Sequence, residues 1–167
     1  MFFVIDDEVA DDGLTSLQQL AEILDERRAQ LDLQLAEVSE ECPAHEHGDD
    51  LAGLGFVACQ RYMTEVAAQL GVPRTQALAM GPRTVSGDTV ACLVNAAANA
   101  WKHEAEWREP LQEQQRRTAE RLASNLPDNG WDYKYVNALH AITGDSRFET
   151  VAHLLAQWRD DLRRLAP

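Results

Sequence analysis

Apolar residues recur at helical spacing along most of this chain, and that repeat constrains the fold more than any other feature of the sequence. In the first long segment the apolar positions are Leu17, Leu20, Leu24, Leu31, Leu35 and Val38. They place one apolar stripe on a helix of about six turns, from Thr15 to about Val38. No alternating strand pattern of useful length is present. The repeat therefore predicts an all-α fold.

Later segments have the same periodicity, and Gly- and Pro-containing turns separate them. We place these helices at about 50–70, 86–107, 111–124, 131–142 and 146–165, with a short helical turn between GVPRT (71–75) and GPRT (81–84). Ser86 is the predicted cap of the third helix. Gly53 and Gly55 either weaken the second helix or let another backbone approach it closely.

The chain of 167 residues is long enough for one core, so we predict a single domain over 1–167. The expected architecture is an up-down bundle of five to six helices with a long N-terminal helical hairpin. Residues 1–12 form an acidic N-terminal arm in this prediction. The segment ECPAHEHGDD, residues 41–50, interrupts the periodicity and is predicted to be a loop.

The acidic residues are concentrated in the first third of the chain. Residues 1–50 contain 15 Asp and Glu against two Arg, whereas residues 51–167 contain 13 of each sign. The formal net charge of -13 disfavours general binding to DNA or to an anionic membrane surface. An acidic region of this kind most often serves solubility. Binding of a basic partner and binding of a cation are the functional alternatives.

Cysteine usage and the start of the chain predict a cytoplasmic protein. Cys42, Cys59 and Cys92 are widely spaced and odd in number, so they provide no disulfide framework. The start, MFFVIDDEVADD, lacks a basic signal-peptide region, and no apolar run approaches the roughly 20 residues of a membrane span. We therefore expect no membrane association.

One short segment contains residue types that bind metals. Cys42, His45, Glu46 and His47 supply a thiolate, two imidazoles and a carboxylate, which are ligands for zinc or nickel. Their spacing matches no standard structural site, and no second donor pair accompanies them. We therefore predict no metal and no cofactor, and we keep a metal or small-ligand site in this segment as the lowest-ranked alternative.

The third helix contains the most informative polar residues. Val90, Leu93, Val94, Ala97 and Trp101 form its apolar face, and the opposite face presents Asn95, Asn99, Lys102, His103 and Glu106. Each asparagine costs about half a kcal/mol relative to alanine in an exposed helix. Such local inconsistencies often mark functional sites. The structural alternatives are a solvated face or asparagines that bond a neighbouring helix.

The segment from Asn99 to His103 resembles the end of the motif of HEPN domains, which are helical and often dimeric proteins. The family motif is Arg, a polar residue, three further residues and then His. Many HEPN proteins are metal-independent RNases of defence systems, and others are inactive binding modules. The resemblance implies that His103 is a general acid or base beside Asn99 and that the protein is a homodimer. Ala98 stands at the arginine position, so we expect weak RNA cleavage or none.

Two functional hypotheses follow. The first is a HEPN-like module of defence or stress that processes or binds RNA, with His103 and Asn99 as candidate catalytic residues. Its candidate substrate-binding residues are Asn95, Lys102, Glu106, Arg108 and Arg83. Arg74 and Arg83 follow Gly/Pro turns, where arginine can hold an anion, although ordinary turns are the favoured interpretation. The alternative is a non-enzymatic acidic module whose N-terminal third binds a basic protein.

Overall fold

The computed structural model describes residues 2–5, 8–35, 44–128 and 130–165, and within these ranges the chain is mostly helical. Its elements are β1 (Phe2–Ile5), β2 (Glu8–Asp11), α1 (Asp12–Leu35), α2 (Ala44–Gln69), α3 (Arg74–Ala79), α4 (Val90–His103), a 3₁₀ helix (Glu104–Glu106), α5 (Glu113–Ala123), α6 (Lys134–Thr143) and α7 (Phe148–Arg163). The all-α class is confirmed. The described ranges contain seven α-helices rather than five to six, because the segment between the two Gly/Pro turns closes into the separate helix α3.

The N-terminal arm pairs with itself before α1 begins. Strands β1 and β2 are antiparallel, with Phe2 opposite Asp11. The Asp11 carboxylate accepts a hydrogen bond from the Leu14 amide at 2.9 Å, which satisfies one of the free N–H groups of the first helical turn. For this reason α1 begins at Asp12 rather than at Thr15.

Helices α1 and α2 pack along each other. Leu17, Leu24 and Leu31 are buried on the α1 face that the sequence predicts. The Tyr62 hydroxyl, in the second half of α2, donates a hydrogen bond to Asp11 at the start of α1. The start of α1 therefore lies beside the later part of α2, so the two helices are antiparallel.

The prediction of a loop at 41–50 is wrong for residues 44–50, because these residues form the first turns of α2. Residues 41–43 lie outside the described residues. A tertiary contact explains the difference. The buried Asp49 carboxylate accepts hydrogen bonds from the Tyr135 and Val136 amides at 2.8 and 2.9 Å. It caps the start of α6 and holds these turns in place, so tertiary structure overrides the low helix propensity of this segment.

Helix α4 occupies the centre of the fold. It contacts α2, α3, α5, α6 and α7, so the arrangement is less regular than the predicted up-down bundle. Its predicted apolar face is almost fully buried at Val90, Leu93, Val94 and Ala97. Thr89, not Ser86, caps this helix, because its hydroxyl accepts a hydrogen bond from the Cys92 amide.

Gly53 allows α4 to lie close to α2. A Cβ at this position would lie 1.9 Å from a carbon of the Trp101 indole. Of the two interpretations of this glycine, close approach is therefore correct, although the approaching group is a side chain rather than a backbone.

Helix α7 starts against α1. The Asp25 carboxylate accepts hydrogen bonds from the Phe148 and Glu149 amides at 2.8 and 3.0 Å. The cap of α7 is thus provided by α1 rather than by a residue beside the start of α7. Within the described ranges, no helix is both long and apolar enough to cross a membrane.

Candidate functional site: a donor cluster between three helices

Five polar side chains from α2, α3 and α4 meet in one hydrogen-bonded group. They are Gln60 from α2, Arg74 from α3, and Asn95, Asn99 and Lys102 from α4. We call these five residues the donor cluster. The structure therefore brings together three residues of the predicted polar face of α4 with one residue from α2 and one from α3.

Helical spacing explains how α4 contributes three of these residues. Positions four and three apart lie on one face of a helix, so Asn95, Asn99 and Lys102 follow each other along α4. Gln60 faces them from α2 and is only 8% exposed. Asn95 and Asn99 are half-buried, which agrees with the alternative that the asparagines bond a neighbouring helix.

The direction of the hydrogen bonds determines what the cluster can bind. Gln60 Nε2 donates to Asn95 Oδ1 at 2.8 Å and to Asn99 Oδ1 at 2.9 Å. Gln60 Oε1 accepts from Lys102 Nζ at 2.6 Å. Arg74 Nη2 donates to the same Asn95 oxygen at 2.7 Å.

Every hydrogen bond within the cluster is accepted by one of its three side-chain amide oxygens, and several N–H donors have no acceptor in the cluster. Among the described residues, neither Asn95 Nδ2 nor Asn99 Nδ2 has a hydrogen-bond acceptor. Lys102 and Arg74 also have more N–H groups than the cluster uses. What the cluster presents outward is therefore a set of donors.

The cluster is positively charged although the protein is acidic. No carboxylate of the described residues lies within 4.0 Å of the Arg74 guanidinium or of the Lys102 ammonium. Partial burial and the nearby Arg74 cation both lower the pKa of Lys102. By contrast, Arg61, Arg116 and Arg121 each pair with a carboxylate. A group that brings negative charge to this place would relieve the repulsion between the two cations.

An apolar cavity of about 240 Å³ adjoins the donor cluster between α2 and α3. Gln60, Arg74 and Asn95 form its polar edge. Its remaining lining residues are Met63, Thr64, Ala67, Ala68, Val72, Ala77 and Leu78. The arrangement combines a small apolar space with a few convergent polar groups, which is the usual composition of a small-molecule site.

His103 lies on the surface at the end of α4. Its Nδ1 is 3.4 Å from a carboxylate oxygen of Glu106, and both side chains are exposed. Ala98, at the position of the family's arginine, is completely buried in the core. No hydrogen bond of the described residues links His103 to the donor cluster.

The two remaining candidate arginines lie outside the cluster. Arg83 donates a hydrogen bond to the Gly87 carbonyl at 2.7 Å within its own loop. Arg108 is exposed, and it makes no hydrogen bond or ion pair with the described residues. The sequence therefore identifies Asn95, Asn99 and Lys102 as neighbours but does not separate them from Arg83, Glu106 and Arg108.

The sequence prediction of the site omits Gln60 and ranks Arg74 too low. Gln60 interrupts the apolar segment FVACQRYM of a predicted helix, and that interruption is the signal that could have found it. Arg74 stands out in the sequence only as a turn arginine. Its partner Asn95 is 21 positions further along the chain, and no local spacing indicates such a contact.

The segment that contains residue types able to bind metals is described only in part. Cys42 and the side chain of His45 lie outside the described part of the chain. Glu46 and His47 lie on the first turn of α2. Within the described ranges, no group of three or more His, Cys, Asp and Glu residues is placed to hold a metal ion.

Comparison with known proteins gives no family assignment. No protein-family model matches the chain, and no match was found among curated proteins or among solved structures. The resemblance to HEPN domains therefore stays a prediction.

Proposed function

We propose that this protein is a binding module that holds an oxyanion at the donor cluster. The observation that carries the proposal is the orientation of Gln60. Its amide donates to the side-chain oxygens of both Asn95 and Asn99, and this leaves their Nδ2 groups without an acceptor among the described residues. An oxyanion accepts hydrogen bonds only, so it complements the N–H groups of the cluster that have no acceptor among the described residues.

The charge of the site supports the same function. Arg74 and Lys102 are two cations without a carboxylate partner in the described part of the chain. A bound anion would interact with both, and hydrogen bonds between charged groups are stronger than neutral ones. A phosphodiester of RNA is the oxyanion that the HEPN resemblance suggests. Binding is favoured over cleavage because the buried Ala98 supplies no cation beside His103.

Titration with inorganic phosphate and with a short single-stranded oligoribonucleotide tests this function. The measurement is the shift of the side-chain amide NMR signals of Asn95 and Asn99 together with the binding isotherm. Arg74→Gln should weaken phosphate binding about tenfold or more, because it removes a charged hydrogen bond. Arg108→Gln is the matched control, and it should bind as the wild type does. Equal affinity of the two variants would contradict the proposal.

The RNA-binding form of the hypothesis has its own expected result. If RNA is the ligand, the oligoribonucleotide should bind more tightly than phosphate, and its affinity should fall as salt increases. The predicted homodimer can be measured on the same samples by sedimentation. Phosphate binding without RNA binding would limit the function to a small anion.

A second candidate function rests on an acidic groove between α1 and the start of α7. The groove has a volume of about 720 Å³. Its charged lining residues are Glu22, Asp25, Glu26, Arg28, Asp32, Asp145, Arg147 and Glu149. Six carboxylates against two guanidinium groups favour a cationic partner, in agreement with the hypothesis of a basic protein partner.

Binding of an arginine-rich peptide tests the acidic groove. The double variant Glu22→Gln/Glu26→Gln should weaken the binding and reduce its salt dependence, because both side chains are exposed and line the groove. Glu109→Gln removes an exposed acid elsewhere and is the matched control. A peptide that binds all three proteins equally would exclude the groove as its site.

A further inference from the structure

The apolar cavity and the donor cluster share an edge, so one ligand can occupy both. Gln60, Arg74 and Asn95 belong to the cluster and also line the cavity. We propose that the site binds a small amphipathic carboxylate, with its carboxylate at the donor cluster and its apolar body in the cavity. This inference rests on the proposed function and adds the chemical class of the ligand.

The head of the ligand follows from the donors. The planar guanidinium of Arg74 matches the two oxygens of a carboxylate, and Asn95 Nδ2 lies on the same residue that Arg74 contacts. Lys102 adds a second positive charge from the side of Gln60. A carboxylate is compact enough to meet these groups at the cavity edge without entering the apolar space.

The body of the ligand follows from the size and lining of the cavity. The volume of about 240 Å³ lies just below the roughly 300 to 1,000 Å³ of pockets that hold drug-sized ligands. Ala67 and Ala77 are buried in this lining and leave the space open because their side chains are short. The cavity therefore suits an unbranched or cyclic apolar body of a few carbons.

The apolar body determines the expected affinity series. Each buried methylene improves affinity about fourfold. Hexanoate has four more methylenes than acetate, so it should bind about 250-fold more tightly when all four are buried in the cavity. Titration calorimetry of the wild-type protein with acetate, hexanoate and inorganic phosphate measures this difference.

Variants on each side of the site separate its two parts. Ala68 lines the cavity from an exposed position, so Ala68→Leu partly fills the space without altering the core. It should weaken hexanoate binding about tenfold or more and leave acetate and phosphate unchanged. Ala79→Leu, at an exposed position of α3 outside the cavity lining, is the matched control. Arg74→Gln should weaken the binding of all three anions.

Each outcome has a distinct meaning. Hexanoate that binds no better than acetate, or an Ala68→Leu variant with wild-type hexanoate affinity, would overturn the carboxylate proposal. If phosphate binding still depends on Arg74 when the hexanoate results fail, the carboxylate proposal is overturned but the proposed oxyanion-binding function is supported. Failure of all three anions to bind a protein with a normal melting transition would overturn both.

Discussion

Asp11 and Arg159 form a buried ion pair between the end of β2 and the last helix. The Asp11 Oδ2 atom lies 2.8 Å from Arg159 Nη1, and the two side chains are only 4% and 8% exposed. Tyr62 donates a further hydrogen bond to the same carboxylate oxygen, and Arg159 also bonds Asp160. Removal of one partner of a buried ion pair destabilises the fold, because the other charge stays buried without compensation.

Removal of the Asp11 charge should therefore destabilise the protein. Asp11→Asn leaves the Arg159 guanidinium buried without its internal counter-charge, and we expect a loss of about 3 kcal/mol in the free energy of unfolding. Asp160→Asn is the control. It removes the more exposed partner of Arg159 and should cost less than about 1 kcal/mol. Chemical denaturation measures both values, and similar losses in the two variants would contradict the importance of the buried pair.

The same carboxylate should make stability depend on acid pH. Burial raises the pKa of Asp11, but hydrogen bonds from Arg159, the Leu14 amide and Tyr62 lower it more, so the net pKa lies below its usual value of 3.8. A carboxyl with a lowered pKa stabilises the fold above 3.8 and loses that contribution as pH falls through the folded-state pKa. Unfolding free energies measured from neutral pH to below pH 3.8 should show this loss. Asp11→Asn should flatten the curve, and an unchanged slope would contradict the assignment.

Gly53 and Gly48 should respond in opposite directions to alanine. Gly53→Ala places a methyl group against the Trp101 indole and should destabilise the protein by about 1 to 3 kcal/mol. Gly48 lies on the same helix, and a Cβ there would meet no atom of another element within 4 Å, so Gly48→Ala should stabilise by about 0.5 to 1 kcal/mol. Thermal and chemical denaturation of the two variants give the comparison. Destabilisation by Gly48→Ala would contradict a regular helix over the first turns of α2.

His103 can be tested without disturbing the core. The side chain is exposed, so His103→Ala should change the unfolding free energy by less than about 0.5 kcal/mol. Because Ala98 supplies no cation, we expect wild-type protein to cleave RNA weakly or not at all in the absence of metal. Robust metal-independent cleavage by the wild type that His103→Ala abolishes would contradict this expectation. Phosphate binding should be the same in both proteins, since His103 makes no bond to the donor cluster in the described part of the chain.

Local sequence patterns predict those parts of the fold that depend on neighbours along the chain. The buried face of α4 follows from residues three and four apart, and it is found as expected at Leu93 and Val94. Helix α6 ends at Thr143, next to its predicted end at about 142, because Gly144 easily adopts a positive φ of 72°. Both features are encoded within one or two helical turns.

Long-range contacts account for the errors. Asp49 caps α6 from α2, and Asp25 caps α7 from α1, so neither helix start could be located from the residues beside it. The same limit applies to the donor cluster. Helical spacing places Asn95 beside Asn99, but only the packing of α2 against α4 brings Gln60 to them and orients their amides.

The contact between Asp25 and the start of α7 has a consequence for synthesis on the ribosome. The carboxylate accepts bonds from amides 123 and 124 positions later in the chain. During synthesis the earlier helices leave the ribosome well before α7 does. The Asp25 side chain therefore has no partner until α7 has also emerged. During that interval the leucine face of α1 lacks its final neighbour. A nascent chain that is stalled before α7 should therefore be far more sensitive to protease than the released protein.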